Sequence, residues 1–485
     1  MSIINAIVRS NVLCAAAFLS SIANLTACSV IGPDYSPPHS AYPENWASSP
    51  RQLAPASSAD IQAWWKLFND PILDSLVEAA IKNNQDLAVA EQRLVRARAE
   101  RVQIASHLLP SVDIDTGAQA MRSNTVLNPL GVGHTRVYSL GLDASWEIDV
   151  FGERRRTIEA ADAEIQAVAE ERHAVLVSLL AELASEYAAL RATQLRTQIA
   201  QGNVEILTLS KQFAERAFQR GVRSSVEVAQ ARTELDLADA KLPVLNGDTD
   251  RLIHTIGVLT GGFPGDLLDT LRNARSALVV PPTIPQTVPS EMVRQRPDIR
   301  EAERELASAT ARIGVAQAER FPKFAIPLTI GTAAGGIGDL LSSVGLGWTA
   351  AITSVAPLID GGSREAGVQA AEANVEAKRL AYERTVRRAF LDVEDARTGL
   401  IAEFIRQKSL TAAVSDSQTA QKRVTQLYTR GLSSYVSVLT AQRTAFEAQD
   451  ALALCQLARV QHVIGLYKAL GAGWREPSIT KISSR

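Results

Sequence analysis

The chain contains few cysteines, few aromatic residues and almost no net charge. Of its 485 residues three are cysteine, aromatic residues make up 5%, and 50 basic side chains nearly balance 52 acidic ones. A formal net charge of −2 argues against a nucleic-acid partner, which requires a basic face. The low aromatic content, together with abundant alanine, favours long helices packed closely together.

The sequence motifs of common enzymes are also missing. The six histidines are scattered and form no His-Glu-x-x-His pair. Neither a Gly-Lys-Ser/Thr phosphate loop nor a Gly-x-Ser-x-Gly elbow occurs. We therefore predict a protein that is not an enzyme and that binds neither a metal nor a dissociable cofactor.

The N-terminus has the pattern of an export signal. Arg9 precedes an apolar run, and a Leu-Thr-Ala-Cys series ends at Cys28. This series resembles the bacterial lipobox, which implies removal of residues 1–27 and a covalent lipid, diacylglycerol plus an N-acyl chain, on Cys28. Several acyl chains anchor a protein stably where one is marginal. Ser29 follows instead of an aspartate, which favours the outer membrane.

The processed chain then retains one free thiol. Cys14 leaves with the signal and Cys28 carries lipid, so only Cys455 remains. No intrachain disulfide is expected despite the export signal.

The sequence repeats itself at an interval of about 210 residues, which indicates duplication of a whole supersecondary unit. The matching stretches are 86–110 with 298–322, 154–165 with 364–375, and 218–224 with 428–434. The predicted segments are a lipoprotein signal peptide (1–27), a lipidated extended segment (28–69), a first repeat (70–275), a Pro-rich linker (276–290), a second repeat (291–472) and a C-terminal tail (473–485).

Each half contains two stretches in which apolar and polar residues alternate with a period of two. These predicted strands lie at about residues 112–121, 136–148, 323–332 and 344–356. Each spans about 10–13 residues, the length of a tilted strand that crosses a membrane. One face carries Asp113, Asp115, Asp143 and Glu147, which is typical of a barrel with a wet lumen. Two surface hairpins of a soluble sheet are the alternative.

Long helices are predicted between the strands. Residues 153–219 contain no proline and one glycine, which gives a helix of about 100 Å, and 363–430 is its counterpart. Partner helices are expected over 225–259 and 434–470, the first interrupted at Pro243.

Four strands cannot close a barrel, and lipid cannot satisfy the open edges of a sheet. The strands of several chains must therefore combine. Two copies give a barrel filled by side chains, whereas three give twelve strands and an open lumen. The predicted fold is mainly α with transmembrane β: an internally duplicated chain whose strands form a 12-stranded trimeric β-barrel continuous with a long α-helical tunnel.

Motifs spread over the whole mature chain point to one family. They are Gly-Pro-Asp-Tyr at 32–35, Trp-Trp at 64–65, Phe-Asn-Asp-Pro at 68–71, Trp-Glu-Ile-Asp-Val-Phe-Gly at 146–152, Arg-Pro-Asp-Ile-Arg at 296–300 and Pro-Leu-Ile-Asp-Gly-Gly at 357–362. With Cys28 they resemble the outer-membrane lipoproteins of RND-type multidrug efflux systems, TolC-like proteins of the NodT group. The resemblance implies a homotrimer in outer-membrane lipid, with a periplasmic tunnel that docks a periplasmic membrane-fusion adaptor and an inner-membrane RND-type pump. It also implies a passive duct for drugs or other small molecules.

Two helix–turn–helix tips are the candidate site. Gly221 and Gly431 suit the left-handed position that ends a helix, and Ser224 with Glu227 predicts a capping box. An ordinary helical corner would explain these residues equally well. By resemblance, the tips form the periplasmic entrance, where adaptor contact and gating occur. The candidate residues are Arg220, Gly221, Ser224, Glu227, Tyr428, Arg430, Gly431, Ser434, Ser437 and Thr440.

The family often places an acidic residue just after the second tip, where it narrows the pore with a ring of charge. The matching positions here are Ser437 and Thr440, both neutral, whereas Glu227 occupies the equivalent place in the first half. The sequence therefore gives no basis for an acidic ring at the second tip and leaves a weaker one at Glu227. We predict that Tyr428 and Arg430 help to hold the resting tips closed by hydrogen bonds.

A lipid-anchored coiled-coil protein, structural or adhesive, is the competing interpretation. The polar inner face of the strands distinguishes the two functions, because a spacer does not need it.

Overall fold

The computed structural model describes residues 30–38, 43, 45–47, 54–55, 62–122, 134–273, 277–281, 283–284, 289–341 and 345–474. The expected signal peptide and Cys28 lie outside these residues. The chain divides into two compact units. The first contains the described parts of 1–38, 94–167 and 302–382, and the second contains those of 39–93, 168–301 and 383–485.

Most of the described chain is helical. The helices are α1 Pro71–Asn83, α2 Gln85–Ser106, α3 Glu153–Gln219, α4 Ser225–Asp239, α5 Lys241–Leu259, α6 Leu268–Leu271, α7 Pro289–Gln295, α8 Pro297–Ala318, α9 Ser363–Thr429 and α10 Tyr435–Ala469. Local sequence explains where α1 begins. Asp70 accepts a hydrogen bond from Ile72 N at 2.9 Å, and Pro71 occupies the first helical position, where its missing N–H is not needed.

The break in the helix after the first tip differs from the expected one at Pro243. Helix α4 ends at Asp239 and α5 begins at Lys241, so Pro243 lies in the first turn of α5. A proline is tolerated there because N–H groups of the first turn have no partner within the helix. The interruption therefore precedes the proline.

The sheet of the first unit has one continuous hydrogen-bonded order. Its strands are β2 Ser111–Met121, β3 Thr135–Ile148, β5 Lys323–Ala334, β6 Leu346–Ala350 and β7 Thr353–Val355. All pairings are antiparallel in the order β2-β3-β5-β6, and β7 also pairs with β5. A separate pair of short parallel strands, β1 Ala54–Pro55 and β4 Thr283–Ile284, belongs to the second unit.

The register aligns like residues across the sheet. Directly paired residues of neighbouring strands share a face. One transverse row consists of the apolar Ile114, Leu142, Ile330 and Trp348. The adjacent row, on the opposite face, consists of Asp113, Asp143, Thr329 and Thr349. The sheet thus has one apolar and one polar face, and on the apolar face Ile114 is 73% and Trp348 75% exposed.

Pro327 accounts for the split of the last strand position into β6 and β7. Ala351 N donates to Pro327 O at 3.1 Å. Proline has no N–H with which to return that bond. The ladder is therefore interrupted between Ala350 and Thr353, within the range where a single strand was expected.

The duplication reappears as two equivalent helix joints in the second unit. Asn84 Nδ2 donates to Leu259 O, the end of α5, at 3.0 Å. Arg296 Nη1 donates to Ala469 O, the end of α10, at 2.8 Å. Each helix is followed by a glycine of positive φ, +82° at position 261 and +69° at position 471. The same backbone joint therefore uses an amide in one half and a guanidinium in the other.

A buried aromatic contact lies in the second unit. Trp64 and Tyr467 are 1% and 0% exposed and stack with ring centroids 5.2 Å apart. Tyr187, also fully buried, donates to Asp70 at 2.7 Å. These contacts join the 3-10 turn at 64–68 and the start of α1 to α3 and α10.

Candidate functional site

Both helical tips turn in the same way. At the first tip, Gly221 has φ +69° and Val222 N donates to Ala217 O at 3.0 Å. At the second, Gly431 has φ +78° and Leu432 N donates to Leu427 O at 2.9 Å. This is the Schellman arrangement, which satisfies the last carbonyls of a helix and favours glycine.

The two following helices are capped differently, although both begin after a serine. Ser434 Oγ accepts from Ser437 N at 3.2 Å, as an N-cap does. Ser224 has the same extended backbone but makes no side-chain cap bond. The expected capping box of Ser224 and Glu227 is therefore wrong. The carboxylate of Glu227 is engaged instead by the phenol of Tyr428, at 2.7 Å.

Three side chains join the two tips. Tyr428 is 3% exposed and donates to Glu227 Oε2. Arg223 lies with its guanidinium carbon 4.6 Å from the centroid of the Tyr428 ring, and its Nη2 donates to Tyr428 O at 3.4 Å. Arg223 Nη1 also lies 3.9 Å from Glu227 Oε1. We call these three residues the tip cluster.

A small apolar core supports the tip cluster. Tyr428 packs with Ala214, Ala231, Tyr435 and Val438, all of which are buried. Burial raises the pKa of Tyr428, and its hydrogen bond to Glu227 raises it further. The phenol therefore keeps its proton and remains a donor over the whole neutral range.

The other expected tip residues lie on the surface. Arg220 and Arg430 are exposed, and neither side chain forms a hydrogen bond or ion pair with another described residue. Ser437 Oγ lies 2.9 Å from Ser434 Oγ, and Thr440 Oγ1 donates to Val436 O of its own helix. Neither position carries a charge.

Sequence reasoning did not find Arg223. Arg223 precedes Glu227 by four residues, a spacing that can indicate an ion pair. The aromatic partner is 205 residues away along the chain and gave no local signal.

Cross-helix ion pairs continue above the tip cluster. Arg443 lies 2.7 Å from Glu234, and Arg196 lies 2.7 Å from Asp450. These pairs are partly exposed and each contributes little to stability. Among the described residues, no group of three acidic, histidine or cysteine side chains is arranged to hold a metal ion.

A sheet with opposed polar and apolar faces, together with long helices that end in joined tips, is the architecture of an outer-membrane channel. Comparison with known proteins agrees. The family model described as outer membrane efflux protein matches residues 76–262 and again 288–472. The chain belongs to this family.

The proteins similar to this chain carry names that describe different kinds of export. The probable efflux pump outer membrane protein TtgC of Pseudomonas putida is 31% identical over 463 residues, covering 93% of this chain and 94% of the relative. The pyoverdine export outer membrane protein OpmQ of Pseudomonas putida is 32% identical, covering 90% and 93%. The solved outer-membrane channel OprN is 32% identical, with a TM-score of 0.84 over 92% of this chain and 99% of that one.

These findings confirm the resemblance and the expected fold class. The protein is an outer-membrane component of an efflux system and is located in the outer membrane. The family is one of channels, which confirms that the protein is not an enzyme.

Proposed function

We propose that this protein is the outer-membrane duct of a tripartite export system, a homotrimer docked to a periplasmic membrane-fusion adaptor and an inner-membrane RND-type pump. It carries drugs or other small molecules passively from the periplasm to the exterior. The observation that carries the proposal is the register of the sheet, which places Asp113 and Asp143 in a polar row beside the apolar row of Ile114 and Leu142. A water-filled barrel in lipid requires these two faces.

The edges of the sheet support the trimer. Strand β2 forms one edge and β6 with β7 forms the other. Unpaired strand edges are not tolerated in hydrocarbon. Edge-to-edge pairing of three copies removes both edges.

The N-terminal segment supports a lipid anchor on Cys28. In the first unit, Ile31 N donates to Phe151 O at 3.2 Å, and Arg156 Nη2 donates to Gly32 O at 2.9 Å. These bonds fix the segment beside the junction of β3 and α3. In the sequence Cys28 precedes Val30, the first described residue, by two positions. The acyl chains on Cys28 are proposed to anchor the chain in the outer membrane.

The tip cluster is proposed to hold the resting entrance closed. It joins the first tip to the second by a charge-assisted hydrogen bond and a cation–π contact. Separation of the tips must break both. Tyr428 keeps the role expected from the sequence, but Arg223 takes the place expected for Arg430 within one protomer.

Planar-bilayer recording of the purified protein tests the function. We expect a trimer with a low resting conductance, raised by Arg223→Ala and less affected by Arg430→Ala, since the two arginines flank equivalent turns but only Arg223 contacts Tyr428. A trimer that never conducts, in any variant, favours the lipid-anchored coiled-coil spacer. Equal effects of the two substitutions contradict the assignment of the cluster.

A further inference from the structure

A groove in the second unit lies next to the tip cluster. It has a volume of about 470 Å³ and lies between α3, α9 and α10. Its α3 wall is apolar, with Ile206, Leu209 and Phe213 exposed by 40%, 64% and 36%. The volume falls within the usual range of small-molecule sites, and contiguous exposed apolar side chains mark a contact surface.

A buried amide in this groove lacks a partner. Gln442 of α10 lines the groove and is 4% exposed. Its Oε1 is shielded from solvent and accepts no hydrogen bond from any described residue. Buried polar groups are almost always hydrogen-bonded, because loss of water is otherwise uncompensated. A ligand that donates a hydrogen bond would supply what the chain itself does not.

The groove also offers a cation. Lys422 of α9 lines it, is exposed, and forms no ion pair among the residues that the structure describes. Apolar wall, amide and ammonium together fit a ligand with an apolar body, an N–H or O–H group and an anionic end.

We propose that this groove binds a small anionic amphiphile. Its ring or short chain lies on Leu209 and Phe213, and its carboxylate meets Lys422. Its donor bonds to Oε1 of Gln442 once that side chain turns towards the groove. Tyr428 also lines the groove. A bound molecule therefore joins α3, α9 and α10 behind the tip cluster and stabilises the closed tips. This stabilising effect rests on the proposed channel function, whereas the binding does not.

The test uses the full-length protein in lipid nanodiscs and two fluorinated probes. N-(4-fluorobenzoyl)glycine carries the ring, the N–H and the carboxylate, and N-(4-fluorobenzoyl)glycinamide replaces the carboxylate by a neutral amide of similar size. In ¹⁹F NMR titrations we expect saturable binding of both, with the uncharged probe weaker by about 3–10-fold. Gln442→Leu should weaken both by about tenfold. Because it removes an unpartnered buried amide, it should leave the thermal midpoint unchanged or raised, which separates loss of binding from loss of fold.

Lysine variants supply the matched control. Lys422→Gln should weaken the charged probe to the level of the uncharged one and leave the latter unchanged. Lys408→Gln, the same change on an earlier turn of α9 outside the groove, should affect neither. Absence of saturable binding, as when a second copy of the chain covers the groove, overturns the proposal, and so does binding that Gln442→Leu does not alter. Binding that leaves the resting conductance unchanged overturns the stabilising role alone.

Discussion

Removal of a single oxygen atom from Tyr428 tests the tip cluster most directly. Tyr428→Phe deletes the donor of the 2.7 Å hydrogen bond to Glu227 but keeps the ring beneath Arg223. A hydrogen bond to a charged group contributes about 1.5–3 kcal/mol. The side chain of Glu227 is 21% exposed and keeps Arg223 at 3.9 Å, so the lower value applies.

The effect should be multiplied by the assembly. If three copies open together, about 1.5 kcal/mol per protomer adds up to about 4.5 kcal/mol, which changes the ratio of closed to open channels by about 10³. We therefore expect a large rise in the open probability of the resting channel in planar bilayers. Cells carrying the variant should also become more sensitive to large polar antibiotics, which the resting channel excludes and the open channel admits.

A second tyrosine provides the control. Tyr435 lies in the same buried cluster, but its hydroxyl is 3.4 Å from Ser210 Oγ and bonds to no charged group among the described residues. Tyr435→Phe should leave the open probability within about threefold of the original. A Tyr428→Phe channel that stays closed refutes the reasoning. An equal rise in both variants assigns the effect to packing instead.

Three further predictions concern thiols, glycines and alkaline pH. Burial raises the pKa of the Cys455 thiol to about 11, so a maleimide at pH 8 should hardly label the native protein. After denaturation the maleimide should label one thiol per mature chain. Two labelled thiols would show that Cys28 carries no lipid. Gly471→Ala should lower the thermal midpoint measured by circular dichroism, because φ is +69° and an added Cβ would lie 2.9 Å from a backbone atom. Gly202 lies within α3, where an added Cβ meets nothing within 4 Å. Gly202→Ala should therefore stabilise the folded protein by about 0.5–1 kcal/mol. Because the pKa of Tyr428 is raised in the folded state, its contribution to the free energy of unfolding is complete below about pH 10 and is lost as the pH rises beyond that value; a stability that stays flat above pH 10 in denaturant titrations contradicts this.

The strands could be read from sequence because their two faces meet different solvents. Residues such as Ile114 and Asp113 alternate so strictly that the period of two, and with it the face on which each residue lies, follows from the order of the residues, whereas the pairing register was found only in the structure. The turn glycines could also be predicted from the sequence, since Gly221 and Gly431 adopt a backbone conformation that other residues rarely adopt. In both cases the cause lies within a few residues of the effect.

Features that depend on distant partners could not be read in this way. Ser224 and Ser434 occupy the same place in nearly identical turns, yet only the second caps its helix. The other half of the expected capping box, the carboxylate of Glu227, is bound by Tyr428 from the other half of the chain. The position of the break before Pro243 likewise required knowledge of where α5 begins, because a proline is harmless in one turn and disruptive in the next.

The contact between the two tips is not repeated in the second half of the duplicated chain. Positions 210 residues apart are equivalent, so Tyr428 corresponds to Phe218, Arg223 to Ser433 and Glu227 to Ser437. The reciprocal contact cannot form, because phenylalanine has no hydroxyl and serine has no charge. Phe218 is accordingly 47% exposed, whereas Tyr428 is 3% exposed. Among the described residues this contact between the tips therefore has no counterpart in the other half of the chain, so a change that disrupts it should act on the whole entrance. Phe218→Tyr alone should not compensate for Tyr428→Phe, because the residues equivalent to Arg223 and Glu227 are Ser433 and Ser437 and supply no carboxylate.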